Sequence, residues 1–105
     1  MEKRDRVIRC GRLVLDGNQY AVSVDGTPVH LTVTEFRVLW HLCERPGHVN
    51  TRSRLIQAAY DDTAGASERT VDTHVRRIRR KLRTHKLDPI ETVHGLGYKL
   101  RDPVP

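Results

Sequence analysis

Arg69, Arg76, Arg77 and Arg80 are the side chains in this sequence best equipped to act on a partner. A guanidinium is always charged, and its planar fork of N–H donors matches phosphate oxygens and the O6/N7 edge of guanine. All four lie in ERTVDTHVRRIRRKLRTHK, residues 68–86, which holds eight of the chain's nineteen Lys and Arg against only Glu68 and Asp72. This segment therefore carries the whole formal charge of +6. Acids that would form i,i+4 partners are nearly absent after Asp72, so neighbouring cations repel at a cost that arriving phosphates would relieve.

The segment must be a helix for these side chains to converge. At about 100° per residue, Val71, Val75, Ile78 and Leu82 fall within an arc of about 60°, the side that faces a core. Arg69, Thr73, Arg76, Arg77 and Arg80 fall within about 100° on the other side, and Thr70 and His74 flank them. A solvated basic face is the simplest reading of such a pattern, but the missing acids count against it. A helix about 10–12 Å across fits the major groove of B-DNA, where arginines can read guanine while others hold phosphates. A membrane-surface helix would need bulky apolar residues for the lipid. The four apolar residues here are needed to hold the helix on its own domain. Double-stranded DNA is the partner these features favour.

The remaining composition narrows the class. A chain of 105 residues is one domain with one core, and 37% apolar with 30% charged residues suits a soluble globule. A sequence pI near 9.9 attracts polyanions without choosing among them. Apolar runs are too short to span a bilayer, and MEKRDR lacks the apolar stretch of a secretory signal, so the expected location is cytoplasmic. Cys10 and Cys43, without CxxC spacing, read as reduced thiols. The six scattered histidines give no zinc spacing, so no metal or other cofactor is expected. No nucleophile–base pair, acid pair or phosphate-cradling glycine loop points to an enzyme. RNA binding would call for an exposed aromatic platform, which is missing.

Other elements can be placed around the basic helix. Turn signals at 16–18 (DGN) and 25–26 (DG) bracket Tyr20, Val22 and Val24, which alternate with Ala21 and Ser23 like a half-buried strand. Val29 and Leu31 continue the alternation, giving an antiparallel meander from Val7 to Leu31. Thr32-Val33-Thr34-Glu35 fits a capping box, with Leu31 and Phe36 placed for a hydrophobic staple. Phe36, Leu39, Trp40 and Cys43 form one helical face, and Pro46-Gly47 ends it. A short extended piece around His48-Val49 follows. Thr51 then caps a second helix with Leu55, Ile56 and Ala59 inward and Tyr60 at its end. Residues 61–66 (DDTAGA) read as an exposed loop, and Ser67 as the cap of the third helix. Ile90 to Val93 and Tyr98 to Leu100 read as two β segments around a turn in which Gly95 and Gly97 supply positive φ. Residues 102–105 (DPVP) are expected to fray.

LTVTEFRVLWHL, VNTRSRL, ERTVDTHVRRIRRKL and IETVHGLGYKL are similar, in order and spacing, to the winged-helix effector domain of OmpR/PhoB-type response regulators. The resemblance runs from about Val7 to Leu100. It implies an α+β winged helix-turn-helix: a four-stranded antiparallel N-terminal sheet, three helices and a C-terminal hairpin, the wing. It implies that the third helix is the recognition helix in the major groove and that the wing enters the minor groove. Thr70, Asp72, His74 and Arg77 match family positions near base edges. Arg69, Arg76 and Arg79 match positions on the sugar–phosphate backbone, where the helical wheel also sends Thr73 and Arg80. Thr92 and Tyr98 match phosphate contacts at the base of the wing. Asp61, Asp62 and Thr63 lie in the loop through which such activators touch RNA polymerase.

The chain departs from the family pattern in three ways. His94 stands at the wing tip, where an Arg usually enters the minor groove. Tyr60-Asp61 replaces a Trp-Gly pair at the end of the second helix, which weakens a phosphate contact assigned by analogy. A receiver domain, with its phospho-accepting Asp, is not part of the sequence. The expectation is the output half of a longer regulator, controlled by a cognate sensor kinase. Residues 1–6 would be linker or tail, and 7–101 the DNA-binding domain. The competing reading is a standalone winged-helix module that binds protein without reading DNA. It predicts an apolar or mixed surface on the third helix.

Overall fold

Short β-branched runs separated by tight turns build the first layer. The computed structural model describes residues 6–60 and 68–105, with the side chain of Glu68 excepted. Strands β1 (Val7–Cys10), β2 (Leu13–Asp16), β3 (Ala21–Val24) and β4 (Thr27–Val29) pair antiparallel in sequence order. Leu13, Leu15, Val22 and Val24 point into the core while their neighbours face outward, the period-two pattern of a sheet wetted on one side. Tyr20 corrects the sequence reading: it lies before the strand, with φ of 51°, and closes the turn from Asp16. Its ring packs 5.0 Å from that of Phe36, so an interior contact decides its place rather than the alternation.

Helices α1 (Val33–Glu44), α2 (Arg52–Ala59) and α3 (Glu68–Arg83) form the second layer. Thr32 and Glu35 make the expected capping box, with Glu35 N–H donating to Thr32 Oγ1 at 3.1 Å and Thr32 N–H to Glu35 Oε1 at 3.0 Å. Such a cap is worth about 1 kcal/mol and fixes where α1 starts. Thr51 caps α2 by accepting from Arg54 N–H at 3.2 Å. Phe36, Leu39, Leu55, Ala59, Val71, Val75, Ile78 and Leu82 are buried together, as the helical periodicities require.

The C-terminal hairpin is β6 (Ile90–Val93) with β7 (Gly97–Leu100), joined by a third strand, β5 (Asn50–Thr51), in the order β5-β7-β6. The extended piece before α2 is thus a sheet partner of the wing, two residues beyond where it was expected. Gly95 does take positive φ, 82°, in the turn. Gly97 serves another purpose: a Cβ there would collide with the Asn50 carbonyl, so only glycine lets β5 and β7 pair this closely. The expected fraying of 102–105 is also corrected. Val104 packs against the core, and Pro105 C=O accepts from Arg12 N–H at 3.3 Å, because the chain returns across the β1–β2 turn. Cys10 and Cys43 are buried free thiols. Ser67 and the loop with Asp61, Asp62 and Thr63 lie outside the described residues. Among the described residues no helix is long and apolar enough to cross a membrane.

Candidate nucleic-acid interface

The buried stripe Val71, Val75, Ile78 and Leu82 turns the opposite face of α3 to solvent. Arg69, Arg76, Arg77 and Arg80 are exposed there, with half-buried Thr73 among them. Arg76, Arg77 and Arg80 make no side-chain hydrogen bond or ion pair among the described residues. Thr73 Oγ1 reaches back to Arg69 C=O at 3.5 Å. Thr70 is half-buried on one border of this face. The arginine surface inferred from the wheel is therefore present, but its flanks are not what spacing alone suggested.

On the wing side, Asp72 and Arg79 are drawn into an internal network. Asp72 Oδ1 accepts from Arg52 Nε at 2.8 Å and from Tyr98 OH at 2.5 Å. Arg79 Nη2 donates to Ile90 C=O and to Thr92 Oγ1, both at 2.9 Å. The Arg52 and Arg79 guanidinium carbons stand 5.5 and 5.7 Å from the centroid of the buried Tyr98 ring, within cation–π range. Burial pushes the Asp72 carboxyl up, but hydrogen bonds from Tyr98 and Arg52, with the charges of Arg52 and Arg76, outweigh it and hold the group below its ordinary range. The Tyr98 hydroxyl is pushed up by burial and by its bond to Asp72. Asp72, expected at base edges, and Tyr98, Thr92 and Arg79, expected on phosphates, thus meet one another. Arg52 was missed by the sequence reading. No local signal marked it, because Asp72 already has arginines on its own helix and Arg52 lies 20 residues earlier.

On the opposite flank the placement of His74 is a correction. The wheel put it at the edge of the exposed surface, whereas the residue is only 9% exposed. Tyr60, at the end of α2, and Glu35, on α1, cover that edge. His74 Nε2 lies 2.7 Å from Tyr60 OH, and Nδ1 is buried without a hydrogen-bond partner among the described residues. A wheel gives the angle of a side chain but not how far its neighbours wrap around the helix. Tyr60 is accordingly engaged with α3.

Burial holds the His74 imidazole below its ordinary pKa, with the Arg77 charge assisting and the Glu35 carboxylate opposing. The unfolded chain therefore takes up this proton first, and His74 should withdraw stability as pH falls below about 6.5 toward the folded value. Glu35 and Asp72, both held below the ordinary carboxylate range, stay ionised in that window. Urea unfolding at pH 7.5 and 5.5 should show a decline for the parent that His74→Gln largely removes. Parallel declines in the two proteins would refute the assignment.

His94 is exposed at the wing tip, on the turn closed by Leu96 N–H donating to Val93 C=O at 3.0 Å. The network of Asp72, Arg79, Thr92 and Tyr98 joins the helix that bears the arginine face to the β6–β7 hairpin.

Comparison with known proteins places this architecture. The profile of a family described as "Transcriptional regulatory protein, C terminal" matches residues 26–100. Sensory transduction protein RegX3 of Mycolicibacterium smegmatis is 37% identical over 98 residues, 91% of this chain and 43% of that protein. Transcriptional regulatory protein CreB of Escherichia coli is 40% identical over 97 residues, 90% of this chain and 42% of that protein. The crystal structure of the response regulator AdeR DNA-binding domain, in complex with an intercistronic region, superposes with a TM-score of 0.80 at 30% identity. That match covers 89% of this chain and 96% of the AdeR domain. The chain thus spans less than half the length of the two curated relatives it matches.

Proposed function

From the chain's place in the family of transcriptional regulatory protein C-terminal domains, to which it belongs, we propose that it binds double-stranded DNA in a sequence-specific manner as the output domain of a two-component response regulator. The observation that carries this reading is the exposed face of α3, where Arg69, Arg76, Arg77 and Arg80 stand together and the last three make no ion pair among the described residues. An interaction module without DNA readout would need an apolar or mixed face on α3. The arginines argue against it.

In this reading α3 lies in the major groove and the wing in the adjacent minor groove. Arg77 and Thr70 reach base edges, while Arg69, Thr73, Arg76 and Arg80 hold phosphates. His94 meets the minor groove. Asp72, Arg79, Thr92 and Tyr98 act chiefly by setting the wing against α3, and His74 by holding α3 against Tyr60 at the end of α2. The cytoplasmic full-length protein would carry an N-terminal receiver domain phosphorylated by a cognate sensor kinase. Asp61, Asp62 and Thr63 would lie in the surface offered to RNA polymerase.

Arg77→Ala tests the base-reading role. On the best duplex selected from a random pool it should cost about 1–3 kcal/mol and relax preference at one base pair. An equal loss on random DNA would reassign Arg77 to the phosphates.

A further inference from the structure

A second basic surface lies away from α3. A cleft of about 720 Å³ runs between α1 and α2, with Arg6, Arg37, Arg45 and Arg54 around Trp40. Glu44 is the one acid lining it among the described residues, and that carboxylate is already engaged, 3.0 Å from Arg6 Nη2 and 3.8 Å from His41 Nδ1. Arg45 and Arg54 are exposed and make no side-chain ion pair among the described residues. Trp40 is 3% exposed, lies 5.5 Å beneath the Arg6 guanidinium, and keeps a buried indole N–H without a hydrogen-bond acceptor. The cleft therefore combines excess positive charge, an aromatic floor and an unmet donor.

The geometry points to a docking site for an acidic segment of a protein partner. Carboxylates would answer Arg45 and Arg54, and one entering beneath Arg6 would supply the acceptor that the indole lacks. The volume suits a few side chains, within the span of about 300–1,000 Å³ common for binding clefts. Nucleic acid fits less well, for a reason of direction. Arg54, Gln57 and Ala58 project roughly 140–240° around α2 from Arg52 at the helical repeat. Arg52 is the residue that meets Asp72 on α3. The cleft thus faces away from the arginine surface of α3, and both surfaces can be occupied at once. This inference goes beyond the DNA-binding reading and does not require it.

Trp40 is the only tryptophan of the chain, so its fluorescence reports on the cleft directly. The probe is a synthetic peptide of Asp, Glu and Leu, compared with its Lys-substituted counterpart. The acidic peptide should give a saturable change that weakens with salt. In the double variant Arg45→Glu/Arg54→Glu its affinity should fall by about tenfold or more, the effect expected of opposed charges at a contact. A melting curve verifies that this variant is folded; Arg45→Gln/Arg54→Gln, which should weaken the peptide in the same direction, serves if it is not. Arg76→Ala/Arg77→Ala strips the α3 face and should leave peptide binding unchanged, while the cleft variants leave duplex affinity unchanged. Absence of a saturable signal, equal peptide affinity in the cleft variants, or loss of duplex binding in them would each overturn the proposal. The last result would instead make the cleft a nucleic-acid surface.

Discussion

Raising salt from 50 to 200 mM should weaken duplex binding by about 40-fold, because three exposed arginines neutralising three phosphates give a slope of log K against log salt near −2.7. These cations are Arg69, Arg76 and Arg80, exposed on the α3 face. Removing Arg69, Arg76 or Arg80 singly should flatten the slope by about 0.9 and weaken all duplexes alike. Arg79 is deliberately left out of that count. Its guanidinium is committed to Ile90 C=O and Thr92 Oγ1, so Arg79→Ala would loosen the wing as well as remove a charge. Fluorescence anisotropy across a salt series measures the slope. A nearly flat line would mean that the arginine face does not meet phosphates, and the DNA reading would lose its electrostatic basis.

The largest stability effect is expected at Lys81→Ala. Glu35 is 1% exposed, and Lys81 Nζ lies 2.6 Å from its Oε1, joining the start of α1 to the last turns of α3. Removing the ammonium leaves a buried carboxylate with only the Thr32 N–H bond of its cap. Breaking fully buried pairs costs about 3–5 kcal/mol, and since Lys81 keeps some solvent contact the lower end, about 3 kcal/mol, is expected at neutral pH. The pH dependence gives a second reading. Burial pushes the Glu35 carboxyl up, but the hydrogen bonds from Lys81 and Thr32 and the charges of Lys81 and His74 outweigh it and hold the group low. In the parent that depression contributes stability above the ordinary carboxylate range, which is lost as pH falls through the folded value. Without Lys81, burial dominates, the folded pKa rises, and protonation relieves the variant. The gap between parent and Lys81→Ala should therefore narrow between pH 7 and pH 4 in urea titrations. A variant within about 0.5 kcal/mol of the parent, the scatter of ordinary surface substitutions, would show that Glu35 finds another partner.

The parts legible in the sequence were those fixed by local rules. Val71, Val75, Ile78 and Leu82 announce a buried helical face by period alone, and Thr32 with Glu35 announces a helix start through two reciprocal bonds three residues apart. The wing was marked by the β-branched run Ile90–Val93 and the glycine-bearing turn after it. What escaped depends on parts of the chain distant in sequence. Asp72 looks like a free acid in a basic helix until Tyr98, 26 residues later, brings its hydroxyl to it. His74 looks exposed until Tyr60 covers it. Tyr20 leaves its strand because Phe36 offers a ring, and the tail docks because the β1–β2 turn offers Arg12 N–H. Gly97 was seen as a turn residue, since nothing local reveals that β5 will approach it.

The cluster around Tyr98 has a consequence for the entropy of association. Two guanidinium groups on its ring, one carboxylate on its hydroxyl and the Thr92 bond fasten the hairpin to α2 and α3 before any partner arrives. The distance between the arginine face and the hairpin is thus set during folding, and little of it remains to be ordered later. Whatever engages both must accept that spacing, and among the described residues the freedom left to surrender lies in the arginine side chains and in His94, Gly95 and Leu96 at the tip. The domain behaves as a gauge of fixed width, whose tolerance is decided by one tyrosine.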